Sequence, residues 1–217
     1  MRIVVTAGPT REPIDPVRFL SNRSSGKMGY AIAEAALEAG HVTTLITGPV
    51  ALTPPVGARL VKIVTSDDLY AAVHEHAPAH DVLVMCAAVS DYKPLHSAAQ
   101  KMEKQRGLFT LELTATRDIL ASLPKENRPC LVVGFAAETH DVETSAQRKL
   151  RTKNCDLIVA NDVSRTDSGM ESDDNEVTIF FRSGERKIIP RTSKKIIARA
   201  LLKIISELHE KSLTKKT

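Results

Sequence analysis

Short apolar runs alternate with segments of helical period along the chain, and that alternation predicts an α/β fold. Arg2-Ile-Val-Val-Thr-Ala7 is β-branched and reads as a buried strand, while Met28 to Ala39 is rich in helix formers and has one apolar face. Gly40 closes that helix, and His41-Val-Thr-Thr-Leu-Ile-Thr47 reads as a second strand. Beyond the turn signals Gly48-Pro49 and Pro54-Pro55, Ala58 to Val64 makes a third strand, and Ser66-Asp-Asp-Leu caps a helix to about Ala77. Asp81-Val-Leu-Val-Met-Cys-Ala87 is the most continuous apolar run, the mark of a central parallel strand covered on both faces. Leu108 to Thr114 alternates as a half-exposed strand, and Thr116-Arg-Asp-Ile-Leu starts a short helix with Thr116 or Asp118 as its cap. Leu131 to Ala137 and Asp156 to Ala160 are further buried strands, separated by a helix from Val142 to Asn154. Glu176 to Phe181 and Arg186 to Ile189 flank Ser183-Gly184 as a hairpin, and Ser193 to about Lys211 form an amphipathic helix. The expected fold is therefore Rossmann-like: a doubly wound, mainly parallel sheet with an antiparallel edge hairpin, in a single domain over residues 1–217.

Two segments interrupt the alternation. The connection from Gly8 to Ser25 is far longer than the roughly 2 to 6 residues usual in α/β units. Pro9, Pro13 and Pro16 order it without a regular ladder, and Arg11, Arg18, Arg23 and Lys27 gather at the start of a helix whose free N–H groups favour anions. Ser24, Ser25 and Gly26 suit that helix start. The choice is between an anion site and a capped helix beside a solvated basic loop; loop length and charge favour the site. After the central strand, Asp91 and Lys93 lead into a polar stretch with Lys101, Lys104 and Arg106, either a surface loop or a basic flap that closes over phosphates. Lys149 and Lys153 share a helix face, more often the mark of a solvated pair than of a functional one.

Composition narrows the classes. With 217 residues, 42% of them hydrophobic, the chain can bury a full core. No apolar run is long enough to span a membrane and Met1 leads directly into a strand, so a soluble cytoplasmic protein is expected. Cys86, Cys130 and Cys155 occupy strand-like positions without CxxC spacing, which suggests buried free thiols rather than disulfides or zinc. The net charge of +4 owes much to the tail after Lys211, and with 4% aromatics and no Trp, nucleic-acid binding ranks low. Gly8-Pro9 and the distant Gly26 do not make a dinucleotide fingerprint, and Ser25-Gly26-Lys27-Met28 is not a Walker motif. An NAD(P)-dependent reductase or a non-catalytic anion-binding module remains possible on these grounds.

The stretch from Thr6 to Gly29, with Ala87-Ala-Val-Ser-Asp-Tyr-Lys-Pro94, Lys101-Met-Glu-Lys104, Val133-Gly-Phe-Ala-Ala-Glu-Thr139 and Ile158-Val-Ala-Asn-Asp162, resembles bacterial phosphopantothenate-cysteine ligase over nearly the whole chain. In many bacteria that ligase is fused behind a flavin-dependent decarboxylase, so the resemblance implies a free-standing or excised ligase domain that carries no flavin, with a possible separate decarboxylase partner. It further implies a homodimer that joins 4'-phosphopantothenate to cysteine through an acyl-cytidylate, with CTP as cosubstrate and Mg²⁺ as cofactor; the metal ligands stay unassigned.

The site residues follow from the same resemblance. Asn22 matches the asparagine linked to turnover of the acyl-cytidylate, Lys101 the flap lysine tied to its formation, and Arg18 a clamp for phosphate or carboxylate. Ser25, Gly26 and Lys27 would bind substrate with Arg18 and Asn22. Met85, Cys86 and Ala87 at the central strand end would receive the nucleotide, followed by Asp91, Lys101, Thr116, Arg117, Asp118 and Ile119. Phe135 would lie beside the base, and Lys149 and Lys153 at the phosphates. Glu103 stands where family flaps commonly carry lysine, and Thr116-Arg117 where many members have Asn-Pro. A core role is the competing reading for Met85, Cys86 and Phe135.

Overall fold

A computed structural model describes residues 1–214 except Gln105, Lys125, Asn127, Pro129, 139–140 and 163–171, and the backbone alone of Glu138 and Asp162. Its main sheet has eight strands in two sets. The parallel set comprises β1 (Arg2–Ala7), β4 (Val42–Thr47), β5 (Arg59–Lys62), β6 (Val82–Met85), β9 (Leu131–Glu138) and β10 (Leu157–Asp162). The antiparallel edge is the hairpin of β11 (Asp174–Phe181) and β12 (Arg186–Ser193). Across the sheet the order is β12-β11-β10-β9-β6-β1-β4-β5. The chain runs outward from β1 through β4 to β5, then returns to β6 on the other side of β1. The switch point thus lies between β1 and β6, where α/β folds open a crevice at the strand ends.

The helices divide between the two faces. α1 (Lys27–Glu38) and α4 (Lys194–Thr214) pack on each other and on Ile3, Val5, Val84 and Val159. α2 (Ser66–His76) and α3 (Val142–Thr152) cover the other face with Val4, Leu83, Val132 and Ile158. Successive strand residues go to opposite faces, which is why unbroken apolar runs were required in β1 and β6.

Local chemistry shifts several boundaries. The α2 cap is Thr65 rather than Ser66, through a capping box in which Thr65 and Asp68 bond each other's backbone N–H groups. At α1 the cap is Gly26, left-handed at φ 78°, and the Ser25 hydroxyl before it accepts Lys27 N at 3.5 Å. The long first loop contains a small ladder, β2 (Arg11–Pro13) against β3 (Phe19–Ser21). The strand expected from Leu108 shrinks to β8 (Leu113–Ala115), paired with β7 (Tyr92–Pro94), because no sheet face covers Leu108 and Phe109, both exposed. No regular helix follows Thr116: Ser122 N bonds Asp118 O at 3.0 Å in a single turn, and Pro124 prevents its extension. The cysteines flank strands rather than lying within them, all three as free thiols.

Candidate active site

The loops leaving β1 and β6 are stitched together, and that seam builds the floor of the site. Thr6, fully buried, accepts the backbone N–H groups of Cys86 and Ala87 at 3.1 Å on its hydroxyl. Ala88 N bonds Gly8 O at 2.9 Å, Thr10 N bonds Ala88 O at 3.2 Å, and Ser90 N bonds the Thr10 hydroxyl at 3.0 Å. A cavity of about 550 Å³ opens beside this seam, of the size that holds a nucleotide or cofactor.

The cavity gathers most of the residues singled out in the sequence. Asn22, Gly26 and Lys27 line it from the first loop, and Met85, Cys86, Ala87 and Asp91 from the end of β6. Thr116, Arg117, Asp118 and Ile119 form one wall, with Phe135 on β9 and Lys149 and Lys153 beyond it. Asn22 is held at the rim, its side-chain amide donating to Val89 O at 2.9 Å. The Thr116 hydroxyl donates to Ser90 O at 2.6 Å, and Asp118 caps its turn by accepting Ala121 N at 3.0 Å while pairing with Lys153 at 2.6 Å. Arg117 pairs with Asp67 at 3.2 Å and lies over the Tyr70 ring. Burial pushes the Cys86 thiol up to about 12, so at neutral pH it lines the wall as a neutral thiol.

Arg18, Lys101 and Ser25 do not line this cavity. Arg18 is engaged locally: its Nε donates to Asp15 at 2.8 Å and a second nitrogen to Met102 O at 2.8 Å. Asp15, whose side chain is fully buried, also accepts Met102 N at 3.2 Å. Arg18 with Asp15 therefore grips the peptide next to Lys101 and fixes that segment against the first loop. The spacing Asp15-x-x-Arg18 was the signal for this pairing.

Sequence reasoning passed over Asn161, Asn175 and Lys194, which complete the wall. Lys194 is only 5% exposed, a buried position that a lysine at the start of an amphipathic helix does not announce.

The wall carries the cations Lys27, Arg117, Lys149, Lys153 and Lys194 against the carboxylates Asp91 and Asp118. Such a surface neutralises an anionic ligand. No group of three or more His, Cys, Asp or Glu forms a metal cage among the described residues. The donors present fit a Mg²⁺ that takes most of its ligands from phosphates and water and only one or two from carboxylates.

Comparison with known proteins places the chain in a family. The chain is 46% identical over 210 residues to the coenzyme A biosynthesis bifunctional protein CoaBC of Vibrio cholerae, covering 95% of this chain and 52% of that protein. It thus spans about half the length of the curated relatives it matches. The solved C-terminal domain of a CoaBC protein aligns with TM-score 0.82 and 43% identity over 97% of this chain and 96% of that one. A Cab2 variant solved in complex with phosphopantothenate-cysteine shares the fold, with TM-score 0.79 and 17% identity over 100% of this chain and 89% of that one. The family model described as the DNA/pantothenate metabolism flavoprotein C-terminal domain matches residues 1–208, and the chain belongs to that family.

Proposed function

We propose that this chain is a phosphopantothenate-cysteine ligase domain: it couples 4'-phosphopantothenate to cysteine at the expense of CTP, in the cytoplasm and as a homodimer. The observation that carries the reading is the convergence of cations, from both faces of the sheet, on a nucleotide-sized cavity at the switch point. The match to the C-terminal domain of CoaBC proteins supports that substrate class for the cavity. The flavin in the family's name goes with the decarboxylase half, to which this chain would be joined or supply product.

In the first half-reaction a carboxylate oxygen of the substrate attacks the α-phosphorus of CTP, and the bond to pyrophosphate breaks. Two anions must approach, so the residues' main work is charge neutralisation. Lys149 and Lys153 receive the nucleotide phosphates, Phe135 lies against the base, and Lys101 comes over the triphosphate when its segment closes. Asp91 and Asp118 are the residues that would hold Mg²⁺, which supplies further neutralisation on the phosphates. In the second half-reaction the cysteine amine attacks the acyl carbon, loses a proton, and CMP leaves. The Asn22 amide is suited to donate to the oxygen on which charge develops during that attack.

Pyrophosphate release is measured with CTP, and separately with ATP, in the presence of Mg²⁺ and 4'-phosphopantothenate, with and without cysteine. Acyl-cytidylate detected by mass without cysteine, and its conversion to the amide with cysteine, is the expected result. Folded protein that releases pyrophosphate from neither nucleotide overturns the proposal.

A further inference from the structure

Thr6 is polar at a place where the sheet calls for an apolar residue. Successive residues of β1 alternate between faces, so Thr6 points with Val4 to the side that α2 and α3 cover, and it is fully buried there. A valine suits such a strand position equally well, and a buried hydroxyl costs stability unless its hydrogen bonds are made. Here they are all made at one spot. The oxygen accepts the N–H groups of Cys86 and Ala87, each at 3.1 Å, and the hydroxyl donates to Met85 Sδ at 3.7 Å. Consecutive N–H groups of an extended strand point to opposite edges, so two that converge on one oxygen mark a chain that has turned.

The turn falls where the β1–β6 ladder stops. That parallel register runs from Ile3 opposite Val82 to Thr6 opposite Met85, whereas β1 keeps β4 one pair further, to Ala7 opposite Thr47. The two chains meet again at an isolated bridge between Pro9 and Ala88, where Ala88 N bonds Gly8 O at 2.9 Å. Between these points the ladder is interrupted, and the Thr6 hydroxyl serves the N–H groups of Cys86 and Ala87 in its place. Met85, Cys86, Ala87, Ala88 and Val89 line the first cavity, and Thr6 lies behind them without lining it. On the ligase reading this strand end receives the nucleotide. We infer that Thr6 is a positioning residue for nucleotide binding: it touches no substrate, but its hydroxyl sets the path of Cys86 and Ala87 and holds the crevice between β1 and β6 open before the ligand arrives. Without that oxygen both N–H groups lose their buried acceptor. They regain one by pairing further along β1 or by admitting water, and either change moves the cavity wall.

The inference rests on the ligase assignment, and a binding experiment keeps the two apart. Titration calorimetry with CTP and Mg²⁺, the same titration with ATP, and steady-state kinetics of the full reaction compare wild type with three variants. Thr6→Val keeps the shape without the oxygen, Thr6→Ser keeps the oxygen without the methyl group, and Thr6→Cys offers a sulfur that accepts weakly. Thr6→Val is expected to bind the nucleotide about tenfold more weakly, the scale of leaving a buried donor without its partner. Its KM for the nucleotide should rise by the same factor while kcat at saturation stays within about threefold. Thr6→Ser should stay within about threefold of wild type in affinity and KM. Thr6→Cys should weaken binding as Thr6→Val does, and carries the test if the valine variant does not fold. Unchanged affinity in folded Thr6→Val or Thr6→Cys, an equal loss in Thr6→Ser, or a lower kcat at unchanged KM overturns the inference, whatever the rate of acyl transfer. Nucleotide binding graded in the expected way by a protein that never transfers an acyl group would instead sink the ligase assignment and leave Thr6 in its role. Wild type that binds neither nucleotide overturns both.

Discussion

Gly29 tests how tightly the site depends on packing beneath it. It lies in the first turn of α1, buried against β1, and a Cβ built there would sit 2.6 Å from Ala7 Cβ, 3.0 Å from Thr6 O and 3.1 Å from Ala7 Cα. Two effects oppose each other in Gly29→Ala. Helix propensity favours alanine by about 1 kcal/mol. Against it, the nearest atoms belong to the backbone and Cβ of a central strand bonded on both sides, so none can rotate away, and overpacking of this kind costs about 1 to 3 kcal/mol. Three contacts tighter than ordinary van der Waals distance put the clash near the upper end of that range, for a net loss of about 1 to 2 kcal/mol. In a chain of this size the melting temperature should fall by about 2 to 8 °C. A displaced α1 also carries Gly26 and Lys27 off the cavity wall, so KM for the acyl substrate should rise. Thermal and urea unfolding, followed by steady-state kinetics, decide the matter. A variant as stable as wild type or more so would show that α1 shifts freely on β1, and would refute the argument.

The two half-reactions should separate: Asn22→Asp is expected to release pyrophosphate and accumulate acyl-cytidylate, whereas Lys101→Gln suppresses the first step, and equal loss of both steps in both variants would reject the division. Asp15→Asn should slow acyl-cytidylate formation by loosening the peptide beside Lys101, with pre-steady-state pyrophosphate release as the readout. The Arg18 guanidinium beside Asp15 holds its carboxyl well below the usual carboxylate range, with help from the Val17, Arg18 and Met102 N–H groups and against the effect of burial. A lowered folded-state pKa stabilises above the unfolded value of about 4, and the contribution disappears as pH falls through the folded value; the urea-midpoint gap between wild type and Asp15→Asn should therefore narrow between pH 7 and pH 3. Cys155, fully buried with its thiol pushed up to about 12, should resist iodoacetamide at pH 8 in native protein and react once urea unfolds it, as mass spectrometry of labelled peptides will show.

The parallel core was legible because burial on both faces leaves little choice of residue: β1, β6 and β10 hold almost nothing polar in their interiors, so no other structure can hide them. The stretch from Leu108 misled for a related reason. Alternation says which face of a strand would be apolar, but it does not say that a partner exists to cover it. In the site, the resemblance named Met85 to Ala87 at a strand end and the Lys149–Lys153 pair on one helix face, and both groups line the cavity. Lys194 was not, because its burial arises where β12 hands the chain to α4 beside Ser172 and Asp173, and local pattern does not contain that juxtaposition.

The first loop explains why one long connection serves both proposed half-reactions. Its β2–β3 ladder leaves Asn22 just past the return strand, bonded to Val89 at the end of the seam from β6. Its tip, 14–18, meets the segment that carries Lys101: Ile14 O accepts Ala98 N at 2.9 Å, and Asp15 and Arg18 hold the N–H and the C=O of Met102. The base of the loop is fixed as well, since buried Glu12 accepts the N–H of Ser66 at 2.9 Å and its hydroxyl at 3.2 Å at the start of α2. A loop pinned at its base, with one arm at the cavity rim and the other bonded to the segment before Glu103, would on the proposed function couple movement of Lys101 to the position of Asn22. A short βα turn has no length for two such arms, and an unpinned one would hold neither in place. The extra residues, the prolines and the Asp15–Arg18 pair are therefore a single device, and the basic charge that marks the loop in sequence is only partly directed at ligand.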